Sequence, residues 1–238
     1  MFTNEFNSDQ WSKIRHLKSL ILGGSRGLGH SISGYLENTR CLSRTSKLEQ
    51  LDLSKPESLI QITNHFTEYE PEMVFYVAGG GVHGEYFSKP MHSHRWTFEV
   101  NFFRPIEIAH SLKQAGYKGT FVYVGSAIAE RSNSKNSLSY AESKKLALKT
   151  LLSLNESELK VRIFSPPYMD TNLLPKNSWP RLEYPDLVLD PNYVAAELLK
   201  WLNIDPFLET KTLSENFDPR HFDWMQRFTY SLPTEKDI

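Results

Sequence analysis

Residues 20–37 constrain the fold more than any other stretch of this chain. Leu20, Ile21 and Leu22 close an apolar run, and Gly23, Gly24, Ser25, Arg26, Gly27, Leu28 and Gly29 follow it; Leu28, Ile32 and Leu36 then recur every fourth residue. Such a run, a glycine-rich turn and a helical period read as strand, turn and the buried face of a helix. Glycine lets a backbone turn sharply and approach another molecule closely, and the unpaired N–H groups that open a helix attract an anion. The stretch therefore reads as a cradle for the phosphates of a dinucleotide. Its Gly23, Gly27 and Gly29 do not reproduce the G-x-G-x-x-G spacing literally, and an ordinary glycine turn is the alternative reading.

The rest of the chain repeats the alternation of strand and helix. Strands are expected at 40–42, 48–53, 73–78, 119–124 and 160–164, the last halted by Pro166 and Pro167. Ser54 and Glu57 have the spacing of a capping box, which opens a helix running to about residue 66. A long helix over 96–114 contains Pro105, which bends or divides it. Further helices cover 140–154 and 191–202, and the segments 83–95, 128–139 and 168–190 read as loops. Strands alternating with helices imply a parallel sheet covered on both faces. The expected fold is a doubly wound, Rossmann-like α/β/α single domain over 18–238. It is preceded by an arm at 1–17 with Phe2, Phe6 and Trp11, and it ends in a weakly patterned tail at about 203–238.

At 238 residues the chain can bury a sizeable core. Its formal charge of −1 gives no sign of binding to nucleic acid or a membrane surface. Cys41 is the only cysteine, which excludes an intrachain disulfide and a cysteine-based metal cluster. The N-terminus, with Glu5 and Asp9, lacks the apolar run of a signal peptide, and no stretch approaches ~20 consecutive apolar residues. A soluble cytoplasmic protein is expected.

In an α/β fold of this kind the residue after the second strand faces the adenosine ribose. An acid there would hold the 2′-hydroxyl of NAD; here the position is Arg44, preceded by Ser43, with Arg26 inside the turn. Two guanidinium groups suit a 2′-phosphate, so NADP(H) is expected in preference to NAD(H). The alternative is that both arginines are solvated surface residues.

Tyr140 and Lys144 stand four apart and share a helix face. A tyrosine titrates near ~10, and a nearby ammonium favours its phenolate and brings it toward the working range. Ser126 follows the 119–124 strand, at the carboxyl edge where ligands of open α/β sheets sit. Asn101 lies in a helical stretch, where its propensity is poor, so it reads either as a residue with a polar role or as a solvent-exposed one. The pair alone also fits a solvated helix face, and Ser126 alone fits a turn.

The ordered set Gly23/Gly27/Gly29, Asn101, Ser126, Tyr140 and Lys144 resembles the short-chain dehydrogenases/reductases over residues 18–202. By that resemblance Tyr140 exchanges a proton with the oxygen of a small carbonyl or alcohol substrate. Lys144 holds the nicotinamide ribose and lowers the tyrosine, Ser126 binds the reacting oxygen, and Asn101 anchors a relay water. The resemblance also carries Ser25, Arg26, Leu28, Ala78, Gly79 and Pro166 to the cofactor, with Asp52 at the adenine and Thr171 at the carboxamide. It implies a homodimer or homotetramer.

The sequence departs from the family at several places. Leu22 replaces the usual threonine before the glycine turn, Tyr76-Val77-Ala78-Gly79 stands where Asn-Asn-Ala-Gly is usual, and Pro166-Pro167 replaces Pro-Gly. Only 211–213 looks strand-like near the C-terminus, before an aromatic tail with Phe217, Phe222, Trp224 and Phe228. Hydrogen bonds normally made by the two asparagines must be made otherwise. A catalytically silent NADP(H) sensor of the same fold is the competing function. A sugar-nucleotide epimerase needs a larger C-terminal domain than this chain offers.

His83, His92 and His94 share one irregular loop with no cysteine to join them, and since a metal site needs convergent ligands of fixed geometry they read as surface or substrate-contacting residues. No G-x-x-x-x-G-K-[ST] loop or H-E-x-x-H helix is present. Tyr168, Met169, Leu173, Leu174, Trp179 and Tyr184 line either a lid over the substrate or a core or subunit contact.

Overall fold

The computed structural model describes residues 13–46, 49–127, 137–156, 158–183, 185–204 and 209–213. Among these, six strands form one sheet in the order β2-β1-β3-β4-β5-β6, every neighbouring pair parallel. They are β1 Ser19–Leu22, β2 Thr39–Leu42, β3 Met73–Tyr76, β4 Gly119–Val124, β5 Leu159–Ser165 and β6 Thr210–Thr212. Leu22 lies opposite both Leu42 and Tyr76, and Tyr76 opposite Tyr123, so the carboxyl ends emerge along a single edge.

Side chains of a strand alternate between faces, and both faces here are covered, which is why β1 and β3 are buried throughout and largely apolar. Leu20, Leu22, Val74, Tyr76, Phe121 and Tyr123 pack on one side with Ile62, Ile108, Leu112, Ala147 and Leu151. These last come from α2 (Ser58–Tyr69), α4 (Arg104–Gln114) and α5 (Leu138–Ser153). Ile21, Phe75, Val122 and Phe164 pack on the other side with Leu28, Ile32, Val194, Leu198 and Trp201, from α1 (Gly27–Tyr35) and α7 (Pro191–Ile204). The doubly wound, three-layer parallel architecture expected from the sequence is the one found. Ile14, at the end of the expected arm, belongs to the second of these cores; residues 1–12 and the aromatic tail lie outside the described residues.

Several boundaries differ from expectation. The strand expected at 48–53 is a single bridge between Ser43 and Gln50; Leu51 and Leu53 are buried in the core, so their apolarity serves packing and makes no ladder. Ser54 and Glu57 form no capping box: the Ser54 hydroxyl donates to Asp52 Oδ1 at 2.7 Å, and α2 starts only at Ser58 without a side-chain cap. The segment 83–95 is not wholly irregular. It contains a 3₁₀ turn, Tyr86–Ser88, and the start of α3, Met91–Phe98. The loop 168–190 contains the short helix α6, Trp179–Glu183, and a bridge between Met169 and Leu189. The strand-like 211–213 is β6, shifted by one residue.

The division expected at Pro105 takes a particular form. Between α3 and α4 the backbone widens into a π-helical turn, Glu99–Phe103, in which the Arg104 N–H reaches back five residues to the Glu99 carbonyl. Pro105 has no N–H, so it can pair neither with Val100 in the wide register nor with Asn101 in the α register. Two buried tyrosines supply the missing donors: Tyr76 Oη donates to the Val100 carbonyl at 2.6 Å and Tyr123 Oη to the Asn101 carbonyl at 2.7 Å. Burial raises both phenols, which keeps them protonated as donors. The Arg104 side chain is buried too, held by Glu99, Glu107 and the Leu53 carbonyl.

Candidate active site

Strand order reverses between β1 and β3, and in open parallel sheets a ligand crevice opens at such a point, outside the carboxyl ends of the strands. The glycine turn forms one wall. Gly23 has φ +99°, and a Cβ there would lie 2.6 Å from the Ala78 nitrogen; a Cβ on Gly29 would lie 2.3 Å from the Gly23 carbonyl oxygen. Only glycine lets the turn close on itself and on the segment after β3. Ala78 is thus brought against the turn, and Thr171 also reaches it, since a Cβ on Gly27 would meet Thr171 Cγ2 at 3.1 Å.

α1 begins at this turn with no side-chain cap and no acidic residue in its first turn. Its opening N–H groups and positive dipole end are left for an anion. Leu28 and Gly29 are buried, while Ser25 and Arg26 are exposed. The Ser25 hydroxyl hydrogen-bonds Thr45 Oγ1 at 2.8 Å, joining the turn to the segment after β2. Arg44 is exposed there, beside Ser43, whose buried hydroxyl has no hydrogen-bond partner among the described residues. Asp52 belongs to the same corner. Burial by itself would raise its carboxyl, but hydrogen bonds from Ser54 and the charges of Arg44 and Lys55 outweigh this and hold it below the usual range. Serine hydroxyls, two exposed guanidinium groups and an uncapped helix start all fit a phosphorylated dinucleotide.

The other wall comes from β3, β4 and α5. Tyr140, half-buried on the first turn of α5, hydrogen-bonds the side chain of Ser126, which follows β4 and is 8% exposed. Lys144 is buried one helical turn later; its Nζ donates to the Val124 carbonyl at 2.7 Å and sits 4.6 Å from the centre of the Tyr123 ring. Asn101 is fully buried in the π-helical turn. Its amide donates to the Gly80 carbonyl at 2.7 Å and to Ser143 Oγ at 3.1 Å, and its Oδ1 accepts the Gly80 N–H at 3.2 Å. The fold brings all four residues to one end of the sheet. Gly79 lies among them, since a Cβ there would be 3.3 Å from both Asn101 Oδ1 and Lys144 Nζ. Pro166 is buried behind Ser126, its carbonyl accepting the Ala127 N–H at 3.0 Å.

The electrostatics differ from expectation. Burial pushes the Tyr140 phenol up despite the Ser126 hydrogen bond, and burial pushes Lys144 down to about 7. In the chain by itself Lys144 therefore does not bring the tyrosine down. Desolvation disfavours the charged form of each partner, and the ammonium expected to stabilise the phenolate is itself only part-charged near neutral pH.

The loop 168–190 is tied down by Arg181, which donates to the carbonyls of Thr171 and Leu174 at 2.9 and 3.2 Å and pairs with Asp170 at 2.5 Å. Tyr168, raised first by burial, is raised further by Tyr140, which places these two phenols near each other. Met169 packs on the core, and Leu173 is exposed. Tyr184 and the side chain of Trp179 lie outside the described residues.

Reasoning from sequence missed Ser143, which receives the Asn101 amide and donates to the Tyr140 carbonyl at 2.9 Å. It also missed the tyrosine pair that holds the π-helical turn. An asparagine four residues before a proline inside a helical pattern was the available signal for that turn. The three histidines separate: His83 packs on Tyr140 with ring centres 5.7 Å apart, His94 is buried against Tyr86, and His92 is exposed. No group of three or more metal-ligating side chains is present among the described residues, and no described helix is long and apolar enough to cross a membrane.

No protein-family model matches this sequence, and no curated protein matches it either. Solved structures match its shape. BdcA in complex with NADPH superimposes with a TM-score of 0.68 at 20% identity, covering 82% of this chain and 91% of that one. A short-chain dehydrogenase from Burkholderia cenocepacia J2315 in complex with NADP gives 0.71 at 16% identity, over 90% and 94%. The bulky-bulky ketone specific alcohol dehydrogenase from Comamonas testosteroni gives 0.68 at 18% identity, over 93% and 96%. The six-stranded parallel sheet with its helices on both faces is thus the fold of the short-chain dehydrogenases/reductases.

Proposed function

We propose that this protein is an NADP(H)-dependent oxidoreductase, a divergent short-chain dehydrogenase/reductase that interconverts a carbonyl and an alcohol with Tyr140 as general acid and base. The observation that carries this reading is the Tyr140 phenol hydrogen-bonded to Ser126 at the carboxyl edge of the sheet, with Lys144 one helical turn behind it. The cofactor-side residues point the same way, and four matching structures hold NADPH or NADP.

Gly23, Ser25, Arg26, Gly27, Leu28 and Gly29 would hold the phosphates, Arg44 the 2′-phosphate, Asp52 the adenine, and Ala78, Gly79, Pro166 and Thr171 the nicotinamide side. Bound there, the nicotinamide supplies or accepts the hydride. In the reductive direction Ser126 orients the substrate oxygen and Tyr140 gives it a proton as the carbonyl carbon gains the hydride. Lys144, with a pKa of about 7 and buried one helical turn after Tyr140, would hold the nicotinamide ribose. Asn101 keeps the Gly80 backbone in place and would anchor a relay water. A homodimer or homotetramer accompanies this reading. The exposed Phe103, Leu138 and Leu146 give α5 and the turn before α4 an apolar surface for it.

The direct test is NADPH consumption against a panel of ketones and aldehydes. Tyr140→Phe is expected to lower kcat/KM by at least about 10²-fold, the contribution of a positioned proton donor; a wild-type rate in that variant refutes the assignment. Silence of the wild type across the panel, together with tight NADPH binding, favours the sensor. Titration is expected to show tighter binding of NADPH than of NADH, and equal affinities would sink the cofactor preference.

A further inference from the structure

His83 is a polar side chain beside Tyr140 that the proposed chemistry does not use. Its ring lies 5.7 Å from the Tyr140 ring, centre to centre, at 47°. The backbone that carries it is pressed onto the same tyrosine: a Cβ on Gly81 would sit 2.6 Å from Tyr140 Cδ2, so 81–83 and Tyr140 hold one fixed relation. Nδ1 is engaged with Ser137 Oγ, 3.2 Å away at the residue preceding α5, and this sets the direction of the ring. The other nitrogen, Nε2, is buried and has no hydrogen-bond partner among the described residues.

An oriented, buried imidazole nitrogen with no hydrogen-bond partner among the described residues costs free energy until another group completes it, and a bound molecule can be that group. We propose that His83 Nε2 hydrogen-bonds a second oxygen of the substrate, beside the one held by Tyr140 and Ser126. The substrate class is then an oxygenated ketone or its alcohol, with the second oxygen on the neighbouring carbon or the one after. This inference rests on the Tyr140 site being the substrate site. Burial, and after it the charge of Lys89, keep the imidazole below its ordinary pKa and hence neutral near pH 7. A neutral ring suits a hydroxyl or carbonyl partner better than a carboxylate or phosphate. With Nδ1 accepting from Ser137, Nε2 carries the proton and donates to a carbonyl; with the roles reversed it accepts from a hydroxyl.

Binding tests the inference without relying on turnover. trans-1,2-Cyclohexanediol and cyclohexanol, neither of which NADPH can reduce, are titrated by calorimetry into the wild type, His83→Phe and His83→Gln, each with and without NADPH. The wild type is expected to bind the diol about tenfold or more tighter than the mono-alcohol, the scale of one satisfied buried polar group. His83→Phe should remove that preference while leaving cyclohexanol affinity within about threefold, and His83→Gln, which keeps a hydrogen-bonding group, should restore part of it. Absence of a diol preference in the wild type overturns the inference, as does its survival in His83→Phe. An equal loss for both alcohols in His83→Phe also overturns it, because the ring would then only support α5 through Ser137. Failure of NADPH to bind, with the diol preference intact, would instead count against the oxidoreductase reading.

Discussion

The glycine turn after β1 and the brace at the ends of β3 and β4 face each other across the same crevice, yet they are built from different material. The turn is made of backbone. Its shape depends on Cβ atoms being absent at Gly23 and Gly29, and its ligand groups are N–H dipoles at the start of α1. The brace is made of buried side chains. Tyr76 and Tyr123 hold two carbonyls that Pro105 cannot serve, and Asn101 clips the Gly80 backbone. A backbone site tolerates almost any flanking side chain but no added atom at its few glycines. A side-chain brace can change its members, provided each freed polar group finds a partner.

The largest effect should follow from adding atoms to the backbone half. Gly23→Val would force a branched side chain into φ +99° and against the Ala78 backbone. Strain of that kind costs about 1–3 kcal/mol or more before the clash is counted. Loss of detectable NADPH binding together with a clear fall in Tm is expected; unchanged values would mean the turn is not closed as described.

Next in size is the pH dependence of the side-chain half. An unfolded lysine titrates near ~10.4, whereas folded Lys144 titrates at about 7. Between these values the unfolded chain binds the additional proton, so stability rises with pH through that window. Denaturation curves from pH 7 to 10 should show this climb in the wild type and a flatter course in Lys144→Met. Parallel curves would show that the ammonium is not desolvated.

The smallest effect sharpens the comparison most. Tyr76→Phe should cost about 1–3 kcal/mol by leaving the Val100 carbonyl unpaired. Pro105→Ala gives that carbonyl an N–H in the wide register, so the same change should cost less in the Pro105→Ala background. A double-mutant cycle with no coupling between positions 76 and 105 would break the account of the π-helical turn.

Much of this was legible from residue order. The glycines, the strand–helix alternation and the Tyr140/Lys144 spacing are local signals, each carried within one or two turns of chain. Arg44 was legible because its place follows directly from the end of β2. The brace was not, since Tyr76 and Val100 are 24 residues apart, and nothing in a tyrosine at the end of an apolar strand names its partner. The strand expected at 48–53 was misread because Leu51 and Leu53 have the pattern of a strand but are apolar for packing under α2 and α4. In the chain by itself burial raises Tyr140 and lowers Lys144, which was not legible because spacing shows proximity and does not show burial.

By itself the sequence determined the parallel α/β architecture, the glycine turn between β1 and α1 and the order in which the catalytic candidates enter the crevice. These depend on periodicity and on the conformational freedom of glycine, which are properties of short segments. Only the tertiary structure decided which groups pair across the crevice: Tyr76 and Tyr123 with the π-helical turn, Ser143 with Asn101, and His83 with the face of Tyr140. Those pairings depend on which strands lie side by side and on what burial leaves unsatisfied.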